Sequence, residues 1–218
     1  MNAPPTRSIA NTTFLSPPSE EGCPWHWPTL RTDLHTAPDR YTARTLWNPL
    51  YGLPGWTRDC GRRFHHGCDI AAWETRPTGQ IIDVVMTDCR NGTDIPISVP
   101  GVFPVDSVAA VTEGWLSEVT TLPDQSILGR HVIIEHIWPI SGRVFFTLYA
   151  HLDTITVMPG QWISAGQSIG TMGTTSASAD ARRWMAVAPH LHFEVFNEEG
   201  RPYDPYRLLV HFIPFSRR

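Results

Sequence analysis

The chain has 218 residues, 41% of them hydrophobic, and a formal net charge of -4, which suits one sizeable core carrying an appendage better than two domains. No run of Lys or Arg supplies the footprint of a nucleic-acid binder or a polybasic membrane anchor, so neither partner is expected. All 17 basic residues are Arg, and the lack of any Lys excludes Schiff-base chemistry and lysine-linked cofactors.

Residues 1–22 are rich in Pro, Ser, Thr and Asn without apolar periodicity, which predicts a disordered, mobile arm. No stretch approaches the roughly 20 apolar residues that span a bilayer, and the start lacks the basic and apolar regions of a signal peptide. A soluble chain with no transmembrane segment and no visible export signal is expected. Residues 23–54 interleave Trp25, Trp27, Tyr41 and Trp47 with Pro and polar residues, which predicts an irregular extension packed on a main domain at 55–212. Cys23, Cys60, Cys68 and Cys89 form no CxxC pair, so a four-thiolate zinc knot is not expected. Disulfides and free thiols both remain open.

Short runs rich in β-branched and aromatic residues, bounded by Gly or Pro, predict strands at Val102–Val111, Gly129–His136, Val144–Leu152 and Leu191–Phe196. Helical periodicity is scarce, and Ala179–Ala188 is its best candidate. Glycines recur through Pro159–Gly173 at spacings too short for helices, which predicts tight turns and very short strands. The fold class that follows is mainly antiparallel β.

Of the ten histidines, isolated ones such as His35, His131, His136 and His211 read as surface or satisfied core residues. Four others have patterned surroundings. Around Pro189–Phe196, strict alternation puts His190, His192 and Glu194 on one strand face and Leu191, Phe193 and Val195 on the other. That pattern fits a half-buried strand with a polar face as well as a pair of imidazoles aimed into a cleft. Around Val144–Leu152 the same alternation puts Thr147, Tyr149 and His151 together, opposite Val144, Phe146, Leu148 and Ala150. His65 and Asp69 are four apart, so they point the same way in a strand or a helix, and Gly67 favours an extended or turning segment. Cys68 would then point away from both.

Two neutral imidazoles and one carboxylate suit zinc, and three protein ligands leave a fourth position for water. The metal lowers that water's pKa towards about 7 and polarises the carbonyl under attack. Histidines beside the ion suit proton transfer and oxyanion stabilisation near neutrality.

Four motifs then occur in order: HxGxD at His65–Asp69, YxHL at Tyr149–Leu152, the turn-rich Gly160–Gly173, and HLHFEV at His190–Val195. Together they resemble the LytM/lysostaphin-type (M23) zinc metallopeptidases, over roughly residues 55–210. Pro104–Val119 is similar to that family's strand-turn-strand. The resemblance implies an antiparallel β-sheet fold of the duplicated hybrid motif type, one zinc ion per chain, and hydrolysis of peptide bonds in bacterial cell-wall peptidoglycan. It assigns His65, Asp69 and His192 as zinc ligands and His151 and His190 as catalytic histidines. A wall substrate implies a periplasmic or extracellular protein. Some relatives are non-catalytic activators of other wall hydrolases that have lost ligands or catalytic histidines, whereas all five positions are filled here. Biotinyl and lipoyl carrier domains share a hairpin like Gly160–Gly173 but need a lysine this chain lacks.

Two stretches depart from the family pattern. About 25 extra residues, roughly Trp73–Pro100, suggest an added hairpin that either walls the cleft or is a surface excursion. Residues 176–188 are also longer than usual, and Arg182 and Arg183 within them either meet substrate carboxylates through bidentate bonds or are solvated. Tyr149, beside His151, is a further candidate for substrate contact.

Overall fold

The computed structural model describes residues 4–6, 10–19, 25–29, 52–58, 61–70, 81–88, 93–100, 106–177 and 189–213. In chain order their strands are β1 (Gly55–Arg58), β2 (Arg63–His65), β3 (Cys68–Ile70), β4 (Ile81–Asp88), β5 (Thr93–Pro100), β6 (Ser107–Ala109) and β7 (Gly114–Thr120). Then follow β8 (Arg130–Ile137), β9 (Val144–Ile155), β10 (Trp162–Ile163), β11 (Ser168–Met172), β12 (Leu191–Asn197), β13 (Pro202–Tyr203) and the helix α1 (Pro205–Phe212). Every ladder between these strands is antiparallel, as expected.

In the main sheet β10, β7, β8, β9, β11 and β6 lie side by side in that order, and β12 attaches to β9 and also pairs with β3 and β13. The long strand β9 serves two neighbours: Phe145 to Ala150 pair with β12, and Leu152 to Ile155 pair with β11. His151 stands at that fork.

Alternation along β12 sorts its side chains as the sequence suggests. Leu191, Phe193 and Val195 enter the main core with Trp138, Phe145, Tyr149 and Leu208. Phe196, on the opposite face, joins a second cluster with Phe146, Leu148 and Ala150. Burying each large apolar side chain contributes roughly 1.5–3 kcal/mol. A one-residue slip of β12 would exchange the two sets, so the core fixes which way His192 points.

The helix α1 was not expected. Its signal is Asp204-Pro205: the Asp204 carboxylate accepts from Arg207 N at 3.0 Å, and Pro205 opens the first turn. Leu208, Leu209 and Phe212 then reach the core. Ala179–Ala188, the best helical candidate and equally readable as a loop, lies outside the described residues.

The expectation of a mobile arm fails for part of residues 1–22. Leu15 N donates to Pro202 O at 2.8 Å, Phe14 packs on Phe64 at 4.9 Å, and His66 Nε2 donates to Asn11 O at 2.8 Å. These apolar and backbone contacts outweigh the polar composition that suggested disorder. In the extension, Trp25 and Trp27 are buried, with Trp25 stacked on Trp138 and Phe145. The added hairpin is present: β4 pairs with β5 from Ile81↔Pro100 to Asp88↔Thr93.

Candidate metal centre

His65 ends β2 and Asp69 is the middle residue of β3, with a tight bend at His66 and Gly67 between them. A Cβ on Gly67 would sit 2.6 Å from His192 Cε1, 2.7 Å from Phe193 O and 2.8 Å from His192 Nε2. The glycine therefore lets the bend come up against the ring of His192. Cys68 points the other way, into the main core as a free thiol, and burial pushes its pKa well up. It is not placed to ligate.

β12 pairs with β3 so that His192 lies directly opposite Asp69. Ligand atoms from His65, Asp69 and His192 fall within 4.8 Å of one another, and all three residues are buried. Their outer contacts decide which atoms face inward. His65 Nδ1 meets Leu53 O at 2.9 Å; a carbonyl only accepts, so Nδ1 carries the proton and Nε2 keeps its lone pair. Burial and then the Arg58 charge lower the His65 pKa to about 3, which keeps the ring neutral. His192 Nε2 lies 2.7 Å from Glu194 Oε1, which turns Nδ1 towards Asp69 Oδ1 at 3.1 Å and His65 Nε2 at 3.1 Å. Burial alone would lower the His192 pKa, but the bonds to Asp69 and Glu194 reverse the sign and raise it. Burial would likewise raise the Asp69 pKa, yet Arg58, His65 and His190 hold the carboxyl well below its usual range. A neutral imidazole, an ionised carboxylate and a second imidazole braced by a carboxylate form a donor set that fits zinc, with each ligand oriented by an outer partner.

Arg58 and Thr175 belong to this site and were missed in the sequence. Arg58 is buried at the end of β1, where its Nη2 donates to His65 Nε2 at 2.9 Å and to Asp69 Oδ2. A bulge between Trp56 and Arg58 marks the register there, and no spacing rule announces it. Thr175 O accepts from His151 Nδ1 at 2.8 Å, while its hydroxyl donates to Leu152 O and accepts from Arg130 N. Gly129, at φ +61°, makes room for it, since a Cβ there would lie 2.1 Å from Thr175 O.

His151 has φ +63°, the one non-glycine residue with positive φ among those described. With its Nδ1 on Thr175 O, its ring lies 4.9 Å from that of His190 and 5.7 Å from that of His192. Burial, then the neighbouring His190 and His192, hold its pKa well below 6.5. His190 is bridged to Gly173 and brings Nε2 to 3.9 Å from Asp69 Oδ1.

β9 departs from the expected alternation. Tyr149 does not share a cleft face with His151: it pairs with Phe193 on the core face, is fully buried, and accepts from Val111 N at 2.9 Å. This placement leaves no surface for substrate. His151 reaches the ligand cluster because the chain turns at the fork, where β9 also bulges against β8 between Arg130 and Val132. Arg182 and Arg183 lie outside the described residues. Of the histidines set aside, His131 bonds Gly129 O and Glu118, and His136 bonds Glu113 O and Thr147.

The family model described as Peptidase family M23 matches residues 90–205. The chain belongs to peptidase family M23. That match starts inside the added hairpin, past His65 and Asp69, so the pairing of β3 with β12 is what joins those two residues to the matched part. The peptidoglycan DD-endopeptidase ShyA of Vibrio cholerae is 33% identical over 115 residues, covering 52% of this chain and 21% of that protein. The murein hydrolase activator NlpD of Escherichia coli is 35% identical over 81 residues, 37% of this chain and 17% of that protein. Thus the M23 chain spans about a fifth of the length of these curated relatives. The catalytic domain of lysostaphin from Staphylococcus simulans superposes with a TM-score of 0.42 at 20% identity, covering 78% of this chain and 98% of that one. No helix among the described residues is long and apolar enough to cross a membrane.

Proposed function

We propose that this M23 protein is a zinc-dependent metalloendopeptidase that hydrolyses peptide bonds of bacterial peptidoglycan outside the cytoplasmic membrane. One observation carries the reading: ligand atoms of His65, Asp69 and His192 converge within 4.8 Å, with the rings of His151 and His190 beside them. In this reading His65 Nε2, Asp69 Oδ1 and His192 Nδ1 hold one zinc per chain. The ion supplies Lewis acidity to the scissile carbonyl and lowers the pKa of water towards about 7. His151, neutral and with Nδ1–H committed to Thr175 O, offers Nε2 to take a proton from the attacking water. His190 faces the same space and stabilises the oxyanion that develops. Arg182 and Arg183 are proposed to meet substrate carboxylates.

The similarity to NlpD favours a second reading, a non-catalytic activator of a separate wall amidase. The filled set of five site residues supports the peptidase instead. Purified protein loaded with zinc should release peptide fragments from sacculi, identified by mass spectrometry, and Asp69→Ala with His192→Ala should lose metal and hydrolysis together. Zinc binding without any cleavage, combined with stimulation of an added amidase, would replace the peptidase by the activator.

A further inference from the structure

His65 Nε2 has a single lone pair, and two groups claim it. Leu53 O fixes the proton on Nδ1, so Nε2 can only accept, and Arg58 Nη2 donates to it at 2.9 Å. A metal held by His65, Asp69 and His192 would use that same lone pair. The two bonds are mutually exclusive.

Asp69 divides its oxygens differently. Oδ2 takes Arg58, while Oδ1 faces His192 Nδ1 at 3.1 Å, His65 Nε2 at 3.4 Å and His190 Nε2 at 3.9 Å. A carboxylate has lone pairs enough for the guanidinium on one oxygen and a metal on the other. Arg58 and His65 are also carried by one hairpin, in which Gly55 of β1 pairs with His65 of β2. A small movement of the guanidinium frees Nε2 while the bond to Asp69 persists.

We propose that Arg58 is a built-in competitor for the metal, a guanidinium anchored on Asp69 that must surrender His65 Nε2 before the ion can bind and thereby sets how tightly it is held. The proposal rests on the zinc reading above. With the competing bond and the repulsion between two nearby cations both removed, Arg58→Met should bind zinc on the order of 10-fold tighter or more. It should also lose thermal stability without zinc and regain more of it on zinc addition than the wild type does, because the buried Asp69 carboxylate then lacks the Arg58 guanidinium.

The test is a titration of wild type and Arg58→Met with zinc ion against a chromophoric chelator, alongside melting curves. Tighter binding by the variant supports the proposal, and unchanged or weaker binding overturns it, making Arg58 an indifferent or supporting neighbour. If the wild type itself takes up no zinc, the metal reading falls and takes this one with it. Should Arg58→Met fail to fold, the wild type labelled with 15N at Arg and His gives the answer. Coupling across the Arg58 to His65 bond should be present without zinc and vanish with one equivalent; persistence in both states overturns the proposal.

Discussion

Gly67→Ala isolates how closely the bend between His65 and Asp69 must approach β12. The added Cβ would lie 2.6 Å from His192 Cε1 and 2.7 Å from Phe193 O, against 3.4 Å for ordinary contact. Phe193 O belongs to the β12 backbone, which is paired on one side with β3 and on the other with β9, so it has little freedom to give. The imidazole of His192 or the bend itself must therefore shift by about 0.8 Å, roughly four times the 0.2 Å within which metal–ligand distances are held. Movement of the ring also strains the 2.7 Å bond from Nε2 to Glu194 that orients it. Loss of an orienting contact alone lowers metal affinity about 10- to 100-fold, and displacement of a ligand should exceed that. The accompanying overpacking should cost roughly 1–3 kcal/mol of stability. Zinc affinity measured by chelator competition, with urea unfolding in parallel, checks both numbers. A folded Gly67→Ala protein that bound zinc within about threefold of the wild type would refute the claim that this glycine sets the ligand geometry.

Three further outcomes follow from the same contacts. His151→Ala and His190→Ala should each keep zinc yet slow sacculus hydrolysis by about 100-fold or more, a separation visible in metal analysis beside a fragment-release assay. Because His151 sits at φ +63°, His151→Asn should be more stable to urea than His151→Ala by about 1 kcal/mol, Asn being the side chain that tolerates that region. Burial lowers the His136 pKa to about 4, so between pH 6.5 and 4 the unfolded chain binds a proton that the folded one refuses. Its contribution is then complete above pH 6.5 and falls with pH by on the order of 3 kcal/mol; His136→Gln should flatten that part of the stability profile, and identical profiles would contradict it.

What was legible in the sequence is what strand periodicity controls. The alternation of Leu191, Phe193 and Val195 against His192 and Glu194 needs only a core to one side, and β12 has it. The relation of His65 to Asp69 was legible for the same reason, and so was the outward turn of Cys68 from the site. The reading failed where periodicity is interrupted. His151 follows Tyr149 by two residues, so alternation gives them one face, but the fork in β9 sends Tyr149 into the core and His151 towards His190 and His192. Arg58 was missed because a bulge places it, and Thr175 because its role rests on a backbone carbonyl that no side-chain pattern can display. The arm at Asn11 to Leu15 escaped notice because a bridge to Tyr203, a ring contact with Phe64 and the bond from His66 dock a segment of polar composition.

The breaks in regularity and the chemistry coincide for a physical reason. A regular ladder sets His192 against Asp69, because cross-strand partners are held within about 5 Å, whereas the proposed base, His151, comes from the break in β9. Continuing β9 regularly past Ala150 would aim His151 into the core with Tyr149. Turning the residue out costs on the order of 1–3 kcal/mol of backbone strain. Leu128 O, which accepts from His151 N at 2.9 Å, and Thr175 O, which accepts from Nδ1, hold it there, between Tyr149 and Leu152 buried on either side. The proposed base is thus carried by a strand of the main sheet but held by two connecting segments, through Leu128 O and Thr175 O, so its position relative to the ligands should depend on those segments as well as on the sheet.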